Sequence, residues 1–299
     1  MNPSERFSYT ASDVDELRDP FKAALRRELA GLTARKIIFT PALTIAQGTS
    51  SASVFALIDT GWIWMAENSA GGVEIAKADF ARTTLVESTV VLLLGRLKID
   101  YVDGRVVKCV VVEFNTVMAN YYEDLVNELL ASMGGTPVRA PNPQPLDLTP
   151  LAPLPLKFKN SVLRVLPPGE GIEALAWWPA VVHPDSEWIE HEISAETALI
   201  VCVRELILLA EETLLPGGNL SKGFHIGLFH KFGSVATRIP LSRVEDCRFG
   251  ANGKFATMEL LLRAGQTVEI LTLAFPLDRR QAIQDVMRHG LRLKRGKKK

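Results

Sequence analysis

Residues able to do chemistry cluster in three places along this 299-residue chain. The first is a run of imidazoles and carboxylates: His183, Asp185, Glu187, Glu190, His191 and Glu192. Such groups hold divalent cations, and a metal-dependent enzyme would use them. Their spacing argues otherwise. In a strand, Glu190 and Glu192 point to one face and His191 to the other, so the run reads as an acidic, solvated hairpin and no metal or cofactor is expected. The second place is residues 214 to 234, where Phe224, Phe229 and Phe232 stand beside Lys222, His225, His230 and Lys231. Rings interleaved with cations suit a peptide or an acidic partner; the blander use of those rings is an added strand that completes a core. The third is the basic C-terminus, Arg292, Lys294, Arg295, Lys297, Lys298 and Lys299. It would be drawn weakly to an anionic membrane or nucleic acid, since no acyl motif or apolar anchor accompanies it. A disordered solubilising end is the plainer reading.

Nothing else along the chain resembles a catalytic signature. There is no G-x-S-x-G elbow, the cysteines lack a local motif, and GANGKFAT has glycines and a lysine without the phosphate-loop spacing, so it reads as a turn. The 34 basic and 34 acidic residues balance, which gives no overall pull toward nucleic acid. Cys109, Cys202 and Cys247 are far apart in sequence and read as buried thiols of a reducing compartment. The opening MNPSERFSYT has no signal-peptide pattern, and no apolar run approaches the ~20 residues of a spanning helix. Cytoplasmic location is the default expectation.

The elements that must position these groups occur twice. Residues 95 to 130 lie without a gap on residues 256 to 291, each reading as strand, turn, strand and closing helix. Leu97, Ile99 and Tyr101 fall on Met258, Leu260 and Leu262, an alternation that lines one strand face. Gly104 and Gly265 mark the turn, and Tyr122, Leu125 and Val126 match Ile283, Val286 and Met287 as a helical stripe. WIWMAENS at 62 to 69 lies on LILLAEET at 206 to 213, and IAKADF at 75 to 80 on IPLSRV at 239 to 244. The opening strands also match, with Trp177, Trp178 and Pro179 on Phe39, Thr40 and Pro41.

This arrangement sets the expected boundaries. Residues 1–33 form an N-terminal helical segment in which Asp19 caps, Pro20 fits the first turn, and Phe21, Leu25 and Leu29 share the face that docks. The first unit spans 34–134. Residues 135–160 form a linker whose prolines, Pro137 through Pro155, exclude regular helix and suggest a semi-rigid extended spacer. The second unit spans 161–291, and the basic tail 292–299. The N-terminal segment, the linker and the tail fall outside the duplication.

The fold class is thus mainly β (α+β). GEGIEAL, ELILLAEE, TRIPLSRVEDCRF and the final helix follow, in order, the pattern of a pleckstrin-homology-like domain, and the chain resembles the bacterial forms of that family. The resemblance implies two tandem β-barrel or sandwich domains, each closed by a C-terminal helix, in a noncatalytic protein-interaction scaffold. Phosphoinositide-binding members use basic residues between the first two strands. Here those loops are AQGTSSAS and HPDSEWIEHE, so an anionic headgroup would meet no cation in the first and acid in the second. A protein or peptide partner, bound through the 214–234 insertion or an exposed sheet edge, is the expectation.

Overall fold

The computed structural model describes residues 7–45, 48–134, 147–182, 192–212 and 233–296. The first half runs through β1 (Tyr9–Ala11), α1 (Phe21–Leu29), β2 (Ala34–Thr40), β3 (Thr44–Ile45), β4 (Gly48–Thr49), β5 (Ser53–Ile58) and β6 (Gly61–Glu67). It continues through β7 (Val73–Asp79), β8 (Thr83–Val91), β9 (Leu94–Asp103) and β10 (Val106–Asn115) to α2 (Ala119–Met133). The second half begins with α3 (Leu156–Val165), β11 (Ile172–Trp178), β12 (Val181–Val182), β13 (Glu192–Ser194), β14 (Thr197–Cys202) and β15 (Glu205–Glu212). Then follow β16 (Gly233–Pro240), β17 (Val244–Asn252), β18 (Phe255–Ala264), β19 (Thr267–Pro276) and α4 (Arg280–Gly296).

The two halves repeat each other down to their irregularities. Thr83–Val91 recurs as Val244–Asn252, Leu94–Asp103 as Phe255–Ala264 and Val106–Asn115 as Thr267–Pro276, at constant spacing. A register shift between Thr83 and Leu85 recurs between Val244 and Asp246, and one between Ala34 and Lys36 recurs between Ile172 and Ala174. Gly104 and Gly265 turn the last hairpin of each half with φ of +63° and +62°, a backbone state that glycine reaches without a Cβ penalty. One expected match is displaced. The pairing of Gly61 with Asp79 and of Glu205 with Pro240 places Ile75 on Ala236 and Phe80 on Leu241, so IAKADF matches ATRIPL rather than IPLSRV. Apolar residues recur in both candidates, and sequence pattern alone does not choose between them.

Several antiparallel sheets result, as expected of a mainly β fold, but among the described residues none closes into the barrel that the resemblance implied. A five-stranded sheet has the order β1-β2-β5-β6-β7, a three-stranded sheet the order β17-β18-β19, and a seven-stranded sheet the order β10-β9-β8-β16-β15-β14-β11. That last sheet is shared: β8 of the first half pairs with β16 of the second, from Val86 opposite Arg238 to Val91 opposite Gly233.

Both faces of the central strands are covered, which is why β5, β6, β14 and β15 read as nearly unbroken apolar runs. Phe55, Leu57, Trp62 and Trp64 enter a core with α2, while Val54, Ala56, Ile63 and Met65 face α1 through Phe21, Leu25 and Leu29. In the second half, Leu199, Val201, Leu206 and Leu208 enter the core with α4, while Ala198, Ile200, Ile207 and Leu209 face Phe158 and Val162 of α3. The helical stripe Tyr122, Leu125, Val126 and its counterpart Ile283, Val286, Met287 are all buried.

Three expectations about the flanks are corrected. The proline-rich segment ends in helix: Pro155 sits at the N-cap of α3, where a missing N–H costs nothing, and Phe158 and Val162 repeat the spacing of Phe21 and Leu25. The duplication therefore includes an outer helix in each half. At the start of α1, Pro20 occupies the N-cap that Asp19 was expected to fill. At the C-terminus, α4 continues to Gly296 because Leu291 and Leu293 pack on the second core, so Arg292, Lys294 and Arg295 are helical. The thiols also differ from one another: Cys202 is buried and Cys247 half-buried, but Cys109 is exposed on the outer face of edge strand β10.

Candidate functional site

Where the two halves join, the end of α2, the β14–β15 turn, the β16–β17 corner and the end of α4 enclose a cleft of about 600 Å³. Its apolar wall is formed by Leu130, Ala131, Pro167, Pro168, Pro240 and Leu241. Its polar wall carries Arg204, Arg238, Arg263 and Lys294 against Glu205 and Glu245.

The deepest of these groups is an ion pair. Arg238 donates from Nε to Glu205 Oε2 at 2.9 Å and from a terminal nitrogen to Glu205 Oε1 at 3.2 Å. Its other terminal nitrogen donates to Asn127 Oδ1 at 2.8 Å, so one guanidinium ties the second half to α2 of the first. The side chains of Arg238 and Glu205 are only 5% and 9% exposed. Burial pushes the Glu205 carboxyl above its ordinary range, and the adjacent Arg238 pulls it partly back. Next along the chain, the Arg204 amide donates to Glu170 Oε2 at 3.1 Å and its guanidinium pairs with the same buried carboxylate. At the rim Arg263 pairs with Glu245, and Lys294 donates to the Val244 carbonyl.

A second arginine crosses the seam beside the cleft. Arg243 donates to the carbonyls of Phe80 at 2.6 Å and Met133 at 3.4 Å, both in the first half.

What this wall offers chemically is charge and hydrogen-bond donation. Guanidinium groups stay protonated and have no acceptor to offer, and Glu205 is held at both oxygens by Arg238. Four cations stand against three carboxylates, Glu205 and Glu245 in the wall and Glu170 behind Arg204, an excess of one positive charge beside an apolar surface, which suits a ligand carrying both an acidic group and an apolar side chain.

The sequence-derived sites distribute unevenly. Lys222, Phe224, His225, Phe229, His230, Lys231 and Phe232 lie outside the described residues, as do Lys297, Lys298 and Lys299 and the His183–His191 run. Among the described residues no group of three or more His, Cys, Asp or Glu is arranged to hold a metal ion. Arg292 and Arg295 are exposed near the C-terminal end of α4, whereas Lys294 is turned into the cleft wall. In the sequence, Arg204 and Glu205 interrupt the apolar run ALIVCVRELILLA. That interruption was the signal: charges inside ALIVCVRELILLA and ATRIP must find partners if the strands are buried.

No protein-family model matches the chain, and no curated protein matches it in sequence. No helix of the described residues is long and apolar enough to cross a membrane.

Proposed function

We propose that this chain is a noncatalytic intracellular interaction protein, built from two pleckstrin-homology-like units, that holds a segment of a partner protein in the cleft between them. The family reading is supported by what each half repeats: four consecutive sheet strands, then a three-stranded meander, then a closing helix. The binding reading rests on one observation above the others, the positive, apolar-walled cleft of about 600 Å³. The three free thiols agree with a reducing compartment.

The test is peptide binding to the full chain by fluorescence anisotropy, using short peptides that pair one or two acidic residues with leucine or phenylalanine. Arg263→Ala and Arg204→Ala are expected to weaken binding about tenfold each, as the loss of a charge-assisted hydrogen bond would. Peptide binding indifferent to both substitutions would remove the cleft from consideration. Salt-sensitive binding to anionic vesicles or oligonucleotides, lost on replacing Arg292 and Arg295 by alanine, would replace it with an anionic-surface function.

A further inference from the structure

Among the described residues the chain contains one completed seam and two further edges that repeat its halves without a partner. Within the molecule, β8 pairs with β16. The counterpart of β8 in the second half is β17, and the counterpart of β16 in the first half is β7. Among the described residues, β17 has a ladder partner only in β18, and β7 only in β6. Burial follows pairing. β8 and β16 are largely buried, whereas β17 buries only Val244 and β7 buries none of its residues. Among the described residues, the same two edges are covered where they meet inside the chain and open where they do not.

We propose that the chain self-associates head to tail, with β17 of one copy pairing antiparallel to β7 of the next in the register of the internal seam. Transferring that register sets Ile75 opposite Phe249, Val73 opposite Ala251, and Glu74 opposite Gly250, with Arg248 diagonal to Glu74 on the same face. The arginine that crosses the internal seam is repeated too. Arg243 reaches the carbonyls of Phe80 and Met133, and its counterpart Arg82 is exposed at the equivalent place, beside β7. It would reach the Leu241 carbonyl of the next copy. Because the two edges differ, such pairing is heterologous and leads to an open chain or a closed ring rather than a two-fold dimer. One contact is poorer in the second seam. Asn127, which accepts from Arg238, corresponds to Arg288, and Arg238 corresponds to Lys77, so two like charges meet there.

These details give the test both directions. The two-residue turn at Gly253 and Lys254 sets an alternation in which Cys247, Phe249 and Ala251 aim their amides at the free edge. Sedimentation velocity of the full chain over a concentration series should show mass rising past two chains. Ala251→Pro removes a free-edge donor at a position where proline is tolerated, and Arg82→Ala removes the crossing cation; each should weaken association about tenfold. Arg288→Asn should strengthen it. Val107→Pro, on the unrelated free edge of β10, should leave it unchanged, and thermal melts of each variant check folding. A mass that stays at one chain throughout overturns the proposal. So does association that survives both Ala251→Pro and Arg82→Ala, or that Val107→Pro abolishes.

Discussion

Arg238 shows how much one side chain depends on its partners. It is buried, bidentate to Glu205 and bonded to Asn127, so removing it leaves a carboxylate stranded in the seam. Arg238→Ala is expected to cost about 3–5 kcal/mol in urea unfolding, and the double replacement Arg238→Met with Glu205→Leu far less, because neither charge then remains unpaired. Tyr122 offers a pH handle. It donates to Ser8 Oγ at 2.9 Å and lies 2.6 Å from Thr40 Oγ1, and burial pushes its phenol up to about 12 from an ordinary 10.0. A raised pKa means that folding favours the neutral form, so its stabilisation is whole below pH 10 and is lost as pH climbs toward 12. The linked loss is about 3 kcal/mol. Comparing the parent with Tyr122→Phe at pH 9 and pH 12 should show the parent falling further by roughly that amount.

At the scale of elements, the outer helices carry the clearest prediction. Phe158 is 3% exposed against the second sheet, while Leu156, two residues earlier, is 73% exposed. Phe158→Ala should cost about 3–5 kcal/mol and Leu156→Ala under about 0.5, as read from denaturant midpoints. Equal effects would show that α3 is not docked on β14 and β15. The prolines up to Pro155 hide this helix in the sequence, although they forbid helix only where they stand. Phe158 and Val162 carried the true signal, matching Phe21 and Leu25. The alternation of Leu97, Ile99 and Tyr101, the turn glycines and the stripe on α2 were legible outright, because each is a property of a short stretch of chain. Of the candidate site's residues the sequence marks only Lys294 as a binding group, within the basic tail; Arg204, Glu205, Arg238 and Asn127 come from separate elements and share no local pattern.

At the scale of the whole molecule, one sheet spans both halves. Leu85 of β8 enters the core of the second half, and Arg243 and Arg238 bind groups of the first. Calorimetry should therefore record one cooperative transition. Ser88→Pro interrupts β8 opposite Ala236 and is expected to split it in two, as each half keeps its own core. The sequence by itself determined that two copies of a β-rich, helix-closed unit follow one another, since periods of two and 3.6 residues are written locally. Only the tertiary structure decided that β8 joins β16 and, among the described residues, leaves β7 and β17 at open edges. Backbone edges present the same N–H and C=O groups whatever their side chains, so the choice among them is made by packing across the seam, where Leu85, Arg238 and Arg243 find partners far away in the chain.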